Sequence, residues 1–253
     1  MSLTSIASLH RAQPHAAAEV QPKTRPTSLG AWGGLTIAVI AVVTVATPAA
    51  AQRQDGRIQV KAFATGVLPD GGIDKVKTDA IGLPVGAEVR ATDALVPTIA
   101  AEYFLTPNFS IETICCVTRH DVRGTGALAG ARLIDDAVIL PATVTAKFHF
   151  QLGERIKPYV GAGPSYFFIF GEDVGPDAAG LGVSRVDLSD ELGFALQAGV
   201  DVKLNDRGLG LSLDAKRYFV GTTATFRRGQ GTALRTDHDL DPWVLSAGLA
   251  FRF

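Results

Sequence analysis

The run Phe194-Ala195-Leu196-Gln197-Ala198-Gly199-Val200-Asp201-Val202-Lys203-Leu204 alternates without a break. Phe194, Leu196, Ala198, Val200, Val202 and Leu204 share one face; Ala195, Gln197, Gly199, Asp201 and Lys203 share the other. Successive side chains of a strand point to opposite faces, so the run predicts a β-strand with one apolar and one polar face. It is about twice as long as the average soluble strand of ~5–6 residues. It matches the ~9–11 residues a tilted strand needs to cross a bilayer.

The same period recurs through the chain. Trp243, Leu245, Ala247, Leu249, Phe251 and Phe253 oppose Val244, Ser246, Gly248, Ala250 and Arg252. Leu209, Leu211, Leu213 and Ala215 oppose Gly210, Ser212, Asp214 and Lys216. Ile58, Val60, Ala62 and Ala64 oppose Gln59, Lys61, Phe63 and Thr65, and Leu140, Ala142, Val144, Ala146, Phe148 and Phe150 oppose Pro141, Thr143, Thr145, Lys147 and His149. Eight strands are predicted, at about 57–68, 92–106, 108–120, 137–151, 157–170, 189–204, 208–223 and 240–253. Short connectors (Thr106-Pro107-Asn108, Leu152 to Lys157, Asn205 to Gly208) take turns with long ones at about 69–91, 121–136, 171–188 and 224–239. All long connectors therefore fall at one end of an all-β, eight-stranded antiparallel up-and-down barrel. Short turns at one end, long loops at the other and an even strand number describe a transmembrane barrel. Closure follows, because lipid offers unpaired backbone groups no partner.

Alternation alone leaves the polarity open, since a soluble barrel turns its apolar face inward. Lys61, Glu102, Glu112, Lys147, Asp201, Lys203, Asp214, Lys216 and Arg252 all fall on the second face, and few charges fall on the first. Tyr103, Phe104, Phe148, Phe150, Tyr159, Tyr166, Phe168, Trp243, Phe251 and Phe253 lie near strand ends, as interfacial girdles require. Both features favour apolar-out. The exception is Arg217, in phase with Leu213, Ala215 and Phe219, which predicts either an outer-rim cation that snorkels or a bulge that turns it inward.

Composition narrows the class. The 253 residues are 47% hydrophobic and 19% charged, with formal net charge −1. This is too apolar for disorder and gives no electrostatic case for nucleic acid. The two cysteines, Cys115 and Cys116, are adjacent, so a disulfide scaffold is excluded; neighbouring strand residues point to opposite faces, and two free thiols are expected. The one long apolar run, Ala31 to Ala46, follows Lys23 and Arg25 and precedes Thr47-Pro48-Ala49-Ala50-Ala51. That order predicts a signal peptide over 1–51, cleaved after Ala51, and a barrel domain over 52–253.

The last eight residues, Ser246-Ala-Gly248-Leu-Ala-Phe251-Arg-Phe253, resemble the sorting signal of bacterial outer-membrane barrels. The resemblance implies the barrel assembly machinery as a partner, read through Ser246, Gly248, Phe251 and Phe253. The body of the chain resembles the outer membrane protein W family. The matching stretches are Pro97-Thr-Ile-Ala-Ala-Glu-Tyr103-Phe-Leu-Thr-Pro107-Asn108, Ile111-Glu112-Thr, His120, Leu140-Pro141-Ala-Thr143-Val-Thr-Ala-Lys-Phe-His149-Phe150, Lys157-Pro158-Tyr159-Val-Gly161-Ala-Gly163-Pro-Ser-Tyr166, Gln197-Ala-Gly199-Val-Asp201 and Asp239-Leu-Asp241-Pro242-Trp243. They occur in family order. The resemblance implies a small barrel in the outer membrane of a Gram-negative bacterium, both termini periplasmic, in contact with lipid and lipopolysaccharide and acting as a monomer. It also implies uptake of small hydrophobic compounds, as in alkane-uptake relatives, by a route that enters from outside and leaves sideways into the membrane.

The residues suggest how such a route works. A lumen of eight strands has room for little beyond its own side chains. Inward Lys61, Lys147, Lys203, Lys216 and Arg252 face Glu102, Glu112, Asp201 and Asp214, with His149 nearby; buried charges persist when paired. The bland reading is a structural plug of ion pairs. The functional one is that the plug blocks straight passage and forces a hydrophobic molecule sideways. Pro97 and Pro141 lie inside predicted strands and lack the ladder N–H, which predicts either a bulge or a lateral gap. Leu83, Val85, Leu128, Leu133, Leu181 and Val183 are candidates to line an apolar entrance. His120 and His149 are expected too far apart in height for a metal pair, no cofactor is implied, and no motif sets Ser110 or Ser165 in a triad, so no enzyme is expected. Two rivals remain: a surface protein without a substrate, and a narrow ion-conducting pore.

Overall fold

The computed structural model describes residues 56–253; the predicted signal peptide lies outside the described residues. Fifteen strands and one short helix follow one another as β1 (Ile58–Leu68), β2 (Ile73–Asp79), β3 (Ala87–Ala91), β4 (Ala94–Thr106), β5 (Phe109–Cys115), β6 (Thr118–Gly126), β7 (Arg132–His149), β8 (Ile156–Phe170), β9 (Asp173–Val174), α1 (Pro176–Gly180), β10 (Arg185–Leu188), β11 (Glu191–Lys203), β12 (Leu209–Phe219), β13 (Gly221–Arg228), β14 (Gly231–Asp239) and β15 (Trp243–Arg252).

The wall is a ring of eight staves. β1, β4, β5 continued by β6, β7, β8, β11, β12 and β15 pair in that order, and β15 returns to β1. The last bond of closure joins the chain's ends, with Ile58 and Phe253 exchanging N–H···O bonds of 3.1 and 2.9 Å. Every wall pairing is antiparallel.

Burial settles the polarity. The large side chains that point outward are apolar and open: Ile99 is 47% exposed, Val144 47%, Leu213 56% and Leu249 53%. Lys61, Glu102, Glu112, Lys147 and Lys216 point inward and are no more than 2% exposed. A soluble barrel has the reverse arrangement; this one suits lipid outside and fixed charge within. Phe104 and Tyr159 depart from the girdle expected of them. Both are inside the barrel, at 3% and 2% exposure, because they share the phase of Glu102 and His149. Arg217 keeps the outward phase with no bulge, opposite Leu196 and Trp243. It reaches the rim, stacking over Trp243 and bonding Asp70 at 3.2 Å.

The long connectors are more ordered than loops. β6 and β7 extend as a hairpin closed at residues 127–131, with β3 paired beside it. β10, β13, β14 and β2 form a separate four-stranded sheet at the same end. The alternation Thr222, Ala224, Phe226 against Thr223, Thr225, Arg227 puts one face of β13 against the interior. The predicted loops are thus a folded collar.

Candidate functional site: a collar cavity, a charged plug and an interrupted stave

Inward side chains change character with height. At the short-turn end, Arg252 donates to the Gly56 carbonyl at 2.6 Å and lies 3.6 Å from the Phe104 ring. Above it comes the charged layer. Lys61 Nζ meets Glu102 at 2.9 Å, Asp201 at 3.2 Å and Glu112 at 3.3 Å. Lys147 Nζ meets Glu112 at 2.8 Å and Glu102 at 3.1 Å, 3.7 Å from the centre of the Tyr159 ring. Lys216 Nζ meets Asp214 at 2.6 Å and Glu112 at 3.2 Å.

Neutral groups complete this layer. Gln197 donates to Glu112 at 2.8 Å and Asp214 at 2.6 Å, and accepts from Thr145 at 2.7 Å. Gln59 and Ser212 donate to Asp201, and Tyr159 donates to Asp214 at 2.6 Å. Close approach needs bare backbone opposite. A Cβ on Gly199 would run into the Tyr159 hydroxyl, and one on Gly161 would lie 2.9 Å from Lys147 Cγ and 3.2 Å from Gln197 Oε1. These glycines make room for the network.

Of the ten residues predicted for this network, Lys61, Glu102, Glu112, Lys147, His149, Asp201, Asp214 and Lys216 come together. Lys203 does not. It is 44% exposed at the short-turn end and pairs with Asp206 in the turn at 2.7 Å. Its phase is right but its height is wrong, since it ends β11 two residues below Asp201. Arg252 also sits below the layer. Sequence reasoning passed over Gln59, Tyr159, Gln197 and Ser212 as site residues; their in-phase positions were the available signal.

His149 Nε2 lies 2.8 Å from both Ser110 Oγ and Glu102 Oε1, all three fully buried. This is not a nucleophile arrangement. The carboxylate shares the nitrogen with the serine instead of orienting the ring from Nδ1, and Ser110 already donates to Glu102 at 2.5 Å. Among the described residues no group of three or more His, Cys, Asp and Glu is placed to hold a metal ion.

Above the charges the lumen turns apolar. Val67, Phe167, Ile169, Ala195, Tyr218, Val220 and Val244 pack into one cluster, with Ile139, Leu188 and Leu240 against it. On this floor stands a cavity of about 290 Å³ inside the collar. Ile134, Phe226 and Leu234 line it, as do Leu83, Leu128, Leu133, Leu181 and Val183 from the predicted entrance set. Val85 is the exception, fully exposed at a turn. His120 and His238 bring polar edges to the wall. Burial pushes the His238 imidazole down to about 4, despite nearby Asp237 and Glu88.

At the level of the Phe167 floor, just below the cavity-lining His120, one stave is broken. β5 stops pairing with β4 at Cys115 and with β7 at Ile114, and β6 resumes pairing with β7 at Thr118. Extending the registers puts Pro97 opposite Val117 and Pro141 opposite Cys116. The direction of each proline follows from bonds lower down. Phe104 N–H donates to Arg57, so residues two, four and six positions away from it on β4 also face β1, and Pro97 faces the broken stave. His149 N–H donates to Asn108, so Pro141, in phase with it on β7, faces the same stave. Two neighbours therefore withhold an N–H at one place, and the ladder lapses there. Cys115 points outward and Cys116 inward, both as free thiols. At the upper edge of the break, Thr92 N–H donates to Asp121 at 2.9 Å, Thr92 Oγ1 accepts from Asp121 N–H at 3.0 Å, and Thr92 carbonyl meets His120 Nδ1 at 2.6 Å. His120 thus borders the cavity on one side and the break on the other.

Comparison with known proteins agrees with this architecture. Residues 54–253 match the model of the OmpW family. Outer membrane protein W of Vibrio cholerae is 28% identical over 86% of this chain and 97% of its own length. Outer membrane protein AlkL of Ectopseudomonas oleovorans is 24% identical over 66% of this chain and 70% of its own. The crystal structure of OprG from Pseudomonas aeruginosa superposes with a TM-score of 0.70 at 24% identity, covering 78% of this chain and 96% of that one. The chain belongs to the OmpW family of outer-membrane β-barrels.

Proposed function

We propose that the protein carries small hydrophobic molecules across the outer membrane and releases them sideways into the bilayer. The observation that carries this reading is the juxtaposition of an apolar collar cavity, a sealed lumen beneath it and a stave interrupted at the level of the Phe167 floor, just below the cavity-lining His120. A molecule drawn into the cavity by burial of its apolar surface meets the Phe167–Tyr218 floor. Below that lie charges it cannot solvate, so straight descent is disfavoured on both steric and dielectric grounds. Among the described residues no ladder pairing joins β4 to β6, and the contacts of Thr92 with His120 and Asp121 close the upper edge of the break. In this reading the collar faces outward and both termini face the periplasm. The likeness to AlkL supports the substrate class. The paired network argues against the ion-pore rival, since its three lysines and four carboxylates are buried and ion-paired with one another rather than lining open water.

The test is uptake of a labelled alkane, an aromatic hydrocarbon and a terpene by cells lacking the gene, with and without its complement. Faster uptake of at least one class on complementation is expected. Equal uptake of all three would overturn the proposal.

A further inference from the structure

The break in the wall is polar where it should be greasy. Among the described residues, the backbone N–H and C=O groups of Cys116 and Val117 have no hydrogen-bond partner. The carbonyls of Pro97 and Pro141 face the same place, since the N–H and C=O positions of a strand residue point to the same neighbour. Opposite Cys116 in the extended register stands Thr98, 2% exposed, whose hydroxyl meets the Cys116 thiol inside the barrel. Within a bilayer such a backbone group is costly unless satisfied. Around this polar spot the surface is apolar: Leu95 is 79% exposed and Val117 56%. The spot offers both donors and acceptors, carries no charge and lies at the edge of an apolar passage.

We infer that the interrupted stave is a docking point for the neutral hydrogen-bonding head of an amphipathic passenger, such as a long-chain alcohol. It would thereby favour such molecules over alkanes of equal length. This rests on the proposed lateral route. A hydroxyl can accept from the Cys116 or Val117 N–H and donate to a proline carbonyl, while its tail lies along Leu95 and out into lipid. A plain alkane leaves those groups unsatisfied as it passes. One net hydrogen bond is worth about 1 kcal/mol, so the preference should be roughly fivefold.

The test has two arms. In the first, the ¹⁵N-labelled full chain in phosphocholine nanodiscs is titrated with 1-decanol and with decane. Cys116 and Val117 amide resonances should move with decanol and stay with decane. Equal responses to both compounds, or none to decanol, would overturn the inference. The second arm measures cellular uptake of the two compounds by P97V/P141V, which restores both missing N–H groups. Loss of both uptakes supports the lateral route on which the inference rests. Unchanged uptake with a folded barrel defeats that route, and the inference with it. If the route survives but the amides ignore decanol, only the head site falls.

Discussion

Replacing Lys147 by methionine tests whether the lumen is a dry plug. Lys147 is fully buried between Glu102 at 3.1 Å and Glu112 at 2.8 Å. The layer holds three lysines against Glu102, Glu112, Asp201 and Asp214. Without Lys147, two lysines face four carboxylates, and Glu102 keeps only Lys61 among them. Methionine fills the stem's volume, so the loss is electrostatic rather than a cavity. Breaking a buried pair by removing one partner costs about 3–5 kcal/mol, because a charge is left uncompensated in low dielectric. Urea unfolding of the refolded barrel in bilayers, followed by Trp243 fluorescence, reads the loss as a lower midpoint at unchanged slope. K147M/E112Q removes one charge of each sign and should recover about 1–3 kcal/mol of it, a coupling expected of residues in one network. A loss below about 1 kcal/mol, with no recovery in the double variant, would refute the reasoning. It would mean the charges are solvated, and the narrow pore would be the better reading.

Three further outcomes are expected. Phe226→Glu places an unpaired carboxylate in the collar cavity and should weaken binding of a hydrophobic fluorescent probe about tenfold or more, with the barrel still folded. Deleting Phe253 should reduce the heat-modifiable barrel recovered in the outer-membrane fraction, because it removes the Phe253–Ile58 closure bonds and the terminal aromatic of the proposed assembly signal. His238 has its folded pKa near 4, below the ordinary value of 6.5, so the folded state resists its protonation. Collar stability is then full above pH ~6.5 and declines as pH falls from there toward 4, by on the order of 1–3 kcal/mol. Amide exchange in β13 and β14 should speed up over that window, and His238→Asn should flatten the dependence.

The wall was legible in the sequence because lipid enforces period two over whole strands. Each of the eight predicted strands is a stave, and even Cys115-Cys116-Val117 keeps its phase through the break. The charged layer was half legible. Phase told which side Lys203 and Asp201 occupy but not their height, and height depends on strand tilt and on where a turn begins. The prolines were visible as missing donors. That both face one stave emerges only from register. The collar was hidden for a different reason: its strands are short, lie outside the bilayer and bury only one face, so residues 224–239 look like polar loop although β13 and β14 run through them. Its apolar residues nonetheless stood out against that background, and Leu83, Leu133 and Val183 do meet around one cavity.

The path itself can be mapped by photolysing an alkane that carries a diazirine in cells making the protein, then locating adducts by mass spectrometry. The account predicts adducts in the collar cavity, at Phe226 or Leu133, and at the break, at Leu95 or Val117. Adducts below the charged layer, at Gln59 or Ser212, with none at the break, would contradict lateral release.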